Sequence, residues 1–251
     1  MRVKKDKINL DYEKTKAFFR NRSEKYNDAN PYAATMFQDD HPELVVKRDK
    51  YEKDKLYPLL KLNANSKILD LACGIGRWAD MAAKVAEKYV GIDFSEELIS
   101  IANSRNKAPN ISFRTGSALE LPTVLDSTEK FNRILIVGLF MYLNDEDIFS
   151  MLRELSNYCE PDSIICIRDP MGIKERLTVR DHFSNELKDD YHAIYRTRDE
   201  VLDILDKTLL QEGFVISEES FLFDDKELNN RIETAQYYFV LERNMENEND
   251  L

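Results

Sequence analysis

Apolar residues fall in short runs along this chain rather than in one even pattern. Residues 68–72, 89–93, 111–115, 131–138 and 163–168 are each bounded by polar or glycine-containing turns. The run at 131–138 is nearly continuous, which marks a central parallel strand covered on both faces. Residues 214–223 and 235–243 read as two late strands. The intervening segments have helical spacing and good start signals. Ser95 is a plausible N-cap with Glu96 and Glu97 in the first turn, and Asn144 and Asp145 open a helix reaching about Tyr158. Thr197-Arg-Asp-Glu200 is a capping box ahead of an apolar helix over 201–210, which Gly213 closes.

The first 64 residues read as a helical cover preceding the first strand. A helix over 15–25 places Phe19, Arg22 and Tyr26 on one face. That face either packs on the core with Arg22 reaching to water, or closes over a ligand. Residues 28–32 form a turn, and His41-Pro42 opens a charged helix to about Leu62, which Pro58 breaks near Tyr57. Its charges read as a solvated face. The segment 171–198 is too long and polar for an ordinary connection, and 244–251 is an acidic, fraying tail.

Charge narrows the choice of partner. A net charge of −11 over 251 residues opposes any protein whose main affinity is for phosphate backbones, so no nucleic acid is expected. Cys73, Cys159 and Cys166 lack metal-ligand spacing and read as buried reduced thiols, which points to the cytoplasm and to no metal. No apolar run is long enough to span a bilayer, and no leader-like h-region follows the basic start.

The chemistry gathers at Asp70-Leu-Ala-Cys-Gly-Ile-Gly76, where a buried strand turns sharply into a helix. Glycines let backbone N–H groups approach a ligand, and the helix start adds partial positive charge. The glycines alone also fit the looser dinucleotide fingerprint. A carboxylate at Asp70 is costly at a buried strand end unless something uses it, and an ammonium group would be such a user. Asp93 ends the second strand, where an acid can accept hydrogen bonds from both hydroxyls of a ribose.

This stretch resembles the first motif of class I S-adenosylmethionine (SAM) methyltransferases, and the resemblance extends over about residues 65 to 243. It implies an α/β, Rossmann-like fold with a seven-stranded mixed sheet, helices on both faces, an N-terminal cover and a lid at 171–198 after strand five. It also implies a cofactor set of Arg22, Tyr26, Asp70, Gly74, Gly76, Asp93, Phe94, Ser117, Ala118 and Val137. Ser117 departs from the family's usual aspartate. Tyr142, at the sheet edge where the family often has a histidine, would line the transfer site. The implied reaction is in-line methyl transfer to an oxygen or nitrogen of a small polar acceptor. His182, Asp169 and His192 are candidate bases. Arg180, Tyr191, Tyr195 and Arg196, in an otherwise acidic chain, are candidates for an anionic acceptor. The opening Phe-Phe-Arg-Asn-Arg-Ser-Glu-Lys-Tyr and the segment Tyr-His-Ala-Ile-Tyr-Arg-Thr-Arg-Asp-Glu resemble methyltransferases of surface-polysaccharide biosynthesis, suggesting a sugar or phosphorylated precursor. The alternatives are an RNA methyltransferase and a non-catalytic nucleoside-binding module. A nicotinamide oxidoreductase is disfavoured by Asp70.

Overall fold

The apolar runs become the strands of one sheet in the computed structural model, which describes residues 1–36, 41–184, 187–229 and 231–243. The tail expected at 244–251 therefore lies outside the described residues. The chain begins with strand β1 (Arg2–Lys4), helix α1 (Tyr12–Ser23), a short α2 (Ala33–Met36) and α3 (Pro42–Leu56). Core elements follow as β2 (Lys67–Leu71), α4 (Ala79–Ala82), β3 (Lys88–Asp93), α5 (Glu96–Arg105), β4 (Ile111–Thr115), α6 (Leu121–Val124) and β5 (Phe131–Val137). Then come α7 (Asp145–Ser156), β6 (Cys159–Gly172), β7 (Leu177–Ser184), β8 (Asp189–Tyr195), α8 (Arg198–Asp206), β9 (Phe214–Phe221) and β10 (Thr234–Arg243).

Seven strands form a mixed sheet in the order β4-β3-β2-β5-β6-β10-β9. β2 through β6 pair in parallel, whereas β10 inserts antiparallel between β6 and β9. This is the Rossmann-like, class I methyltransferase architecture. One face of the sheet packs Ile134, Ile136 and Phe239 against Leu152 and Leu155 of α7 and Leu205 of α8. The other packs Ile68, Tyr89 and Leu135 against Leu56 of α3 and Trp78 and Ala82 of the glycine-turn helix. Each such Leu, Ile or Phe side chain contributes about 1.5–3 kcal/mol by leaving water.

Local signals set several boundaries. Ser95 accepts a hydrogen bond from the Leu98 N–H at 3.2 Å and caps α5, and the Thr197–Glu200 capping box forms as the sequence predicts. α3 stops at Leu56, just before Pro58 starts a 3-10 turn. The helix that follows the glycine turn is short, regular only over Ala79–Ala82. The segment 171–198 is not an irregular loop. β6 extends to Gly172, and β7 and β8 form an antiparallel pair that β1 completes as a separate three-stranded sheet. Phe18 of α1, Tyr142, Leu177, Val179, Tyr191 and Tyr195 form a third apolar cluster beneath it.

Candidate active site

The parallel strands end together at one edge, beside a cavity of about 430 Å3. β2 ends with Asp70 and Leu71, and the chain then turns with φ of +61° at Ala72 and +55° at Gly74. The Gly74 N–H donates to Asp93 Oδ2 at 2.9 Å, and the Ser95 N–H donates to Oδ1 at 3.0 Å. Asp93 is thus fixed across the glycine turn, beside the cavity it lines. Burial pushes it up to about 6 against the pull of those two N–H groups. Asp70 accepts from the Tyr89 hydroxyl, and burial pushes it further, to about 7. Gly76 does not line the cavity. A Cβ there would sit 2.6 Å from the Phe113 ring, so its role is close packing at φ +74°.

Phe94, Ser117, Ala118 and Val137 line the cavity together with Asp70, Gly74 and Asp93. Ser117 Oγ accepts from the Leu119 N–H at 3.1 Å. The N-terminal cover reaches the cavity through a different face from the expected one. Tyr12, Thr15, Lys16 and Phe19 line it. Arg22 instead points into the cover, where its guanidinium donates to the carbonyls of Ala33 and Ala34 and is wholly buried. α1 ends at Ser23, so Tyr26 lies beyond it and its hydroxyl donates to Asp28 at 2.8 Å. Neither Arg22 nor Tyr26 lines the cavity.

The lid residues divide similarly. Tyr142, Tyr191 and Tyr195 line the cavity, with the Tyr191 and Tyr195 hydroxyls 3.0 Å apart. Arg196 does not. Its Nε donates to Asp145 Oδ1 at 2.8 Å and its terminal nitrogens donate to the carbonyls of Phe140 and Leu143, so it ties the lid base to the sheet edge. Arg180 sits beside Asp181 at 3.4 Å, away from the cavity, and His182 is exposed on β7. His192 accepts from the Asp181 N–H at 3.2 Å, also outside the lining. Asp169 accepts from the Phe140 and Met141 N–H groups, one at each oxygen and each at 3.0 Å. Burial raises it to about 6, but it too stands outside the cavity lining.

Two arginines that the sequence reading passed over line the cavity where Arg180 and Arg196 do not. Arg231 donates to the Tyr195 hydroxyl, and its guanidinium lies 5.4 and 5.3 Å from the ring centres of Tyr191 and Tyr195. Arg168 lines the cavity between Glu52, at 2.7 Å, and Gln236, at 3.0 Å. Burial alone would raise Glu52, but Arg168 and Arg77 outweigh it and hold the carboxylate below its ordinary range. Antiparallel β10 starts at the edge where the parallel strands end. That direction was the signal that residues just before it would reach the site.

Residues 68–162 match the family model described as methyltransferase domain. Among curated proteins, the chain is 26% identical to methyltransferase GfsG of Streptomyces halstedii over 61% of its own length and 59% of that protein. It is 33% identical to demethylmenaquinone methyltransferase of Lactococcus lactis subsp. lactis over 40% of each. The chain thus spans less than two thirds of these relatives. Among solved structures, Haemonchus contortus phosphoethanolamine N-methyltransferase 1, in complex with phosphoethanolamine and S-adenosylhomocysteine, superposes with a TM-score of 0.69. It is 18% identical, over 95% of this chain and 51% of that one. Residues 68–162 thus resemble a methyltransferase domain, carried on the fold that solved SAM-dependent methyltransferases share.

Proposed function

We propose that the chain transfers the methyl group of SAM to a small polar acceptor bearing an anionic group. A sugar or phosphorylated precursor of surface polysaccharide is one such acceptor, and a cytoplasmic setting accords with three free, buried cysteines. SAM would supply an activated methyl on a sulfonium, so the protein's main task is alignment. The two buried carboxylates, both raised toward neutrality by burial, suit this group. Asp93 would accept from the ribose hydroxyls, Asp70 would face the ammonium, and Phe94, Ser117 and Ala118 would bound the adenine. Tyr142 and Val137 would border the transferring methyl.

The observation that carries the anionic acceptor is Arg231, stacked on Tyr191 and Tyr195 in the same cavity as Asp93 and the glycine turn. A guanidinium with phenol hydroxyls beside it forms charge-assisted hydrogen bonds to phosphate or carboxylate oxygens. The phosphoethanolamine bound by the nematode enzyme of similar fold is an acceptor of that kind. Arg231→Ala should raise the Michaelis constant for phosphorylated acceptors about tenfold to a hundredfold, the loss of one charged hydrogen bond, with SAM affinity by calorimetry unchanged. An unchanged Michaelis constant would remove the anionic subsite.

A further inference from the structure

Aromatic side chains crowd the part of the cavity between the cofactor residues and Arg231. Phe19 meets the Phe94 ring at 5.6 Å and the Tyr142 ring at 5.0 Å, both edge to face, so it stands at the junction of the two compartments. Tyr142, Tyr191 and Tyr195 continue from there. Burial raises all three phenols, which therefore keep their protons at neutral pH and act as donors rather than bases. Among the described residues, the groups that could take a proton from an alcohol are engaged or lie elsewhere. Asp169 accepts two backbone N–H groups, His192 accepts the Asp181 N–H, and His182 faces outward from β7. Among the described carboxylates lining the cavity, Glu52 is held by two arginines, Asp70 by Tyr89 and Asp93 by two backbone N–H groups, while Glu120 follows closely on Ser117 and Ala118 at the adenine side.

We infer that the attacking atom of the acceptor is an amine nitrogen, seated among the Phe19 and Tyr142 rings on a molecule whose anionic group Arg231 holds. This rests on the reading of the site as a methyltransferase with an anionic acceptor. Arg231 beside the Tyr191 and Tyr195 rings, together with desolvation, favours the uncharged form of an amine seated there. The nitrogen lone pair then forms the N–CH3 bond as the C–S bond of SAM breaks, with the bonding pair staying on sulfur. The resulting ammonium group loses its proton to water afterwards. Positive charge growing on nitrogen is met by ring faces, and an aromatic neighbour stabilises it without accepting a proton.

The test pairs acceptors that differ only at the nucleophile. Phosphoethanolamine is compared with 2-hydroxyethyl phosphate, and glucosamine 6-phosphate with glucose 6-phosphate, by release of S-adenosylhomocysteine. Transfer to at least one amine, with its hydroxyl counterpart at least a hundredfold slower, is the expected result. Tyr142→Leu should lower kcat on that amine about tenfold, and Tyr142→Phe should retain more of it, because the ring and not the hydroxyl is required. Transfer to an alcohol at a comparable rate, or to none of the four, overturns the inference. SAM binding by calorimetry, measured alongside, separates the two failures. A protein that binds SAM but methylates the alcohols loses only the amine, whereas one that does not bind SAM loses the underlying function.

Discussion

Asp70 and Asp93 sit 2% and 5% exposed at neighbouring strand ends, and the fold leaves both short of full charge. The sign of the resulting pH dependence follows directly. A carboxyl whose folded value lies near 7 holds its proton in the folded chain between about pH 4 and pH 7, where the unfolded chain has released it. Its contribution to stability is complete below about pH 4 and is lost as pH rises through about 7. Asp70→Asn should therefore flatten the fall in melting temperature of the unliganded protein between about pH 5 and pH 7.5. An undiminished fall in the variant would show that other groups set it. The place of Asp70, Asp93 and Gly74 at the cavity was legible in the sequence because one short stretch and one strand end hold them, whereas Gly76 turned out to pack against Phe113. Arginines were the least legible residues. Arg22 and Arg196 looked like ligand contacts but are spent on backbone carbonyls, a distinction that only the packed chain makes.

At the scale of elements, α3 departs most from its sequence reading. Lys50 and Asp54 do pair on its exposed side, as a solvated face requires. The opposite side carries Asp49 and Glu52 inward to Arg77 at the glycine turn, and Glu52 continues to Arg168 at the end of β6. Helical spacing of charges does not tell a wet face from a buried ion-pair face, because the partners come from distant segments. Glu52 is 1% exposed, so its removal strips Arg168 of its ion pair and leaves Arg77 with Asp49 alone in the interior. Glu52→Ala should cost about 3–5 kcal/mol of unfolding free energy, measured by urea titration. A loss under about 1 kcal/mol would mean that water reaches the network. The proline stop after α3 and the α8 capping box were read correctly, since each depends on a few adjacent residues.

For the molecule as a whole, the order of strands and helices followed from the sequence, but the small sheet over the site did not. Its first strand is the polar Arg2–Lys4, which has no apolar pattern and gains its place only by pairing with Leu177–Val179. Side-chain pairs reinforce that seam, with Arg2 against Glu233 and Lys4 against Glu175. This seam bears on time as well as on space. The chain's opening strand cannot dock until most of the remaining chain has been made and folded, and its gain from three residues is small against the entropy of closing so long a loop. It should be the last element to settle and the first to let go. Native-state hydrogen exchange should find the amides of residues 2–4 opening well before those of β5, at a free energy far below that of global unfolding. Equal protection of the two would mean instead that the seam and the central sheet come apart as one cooperative unit.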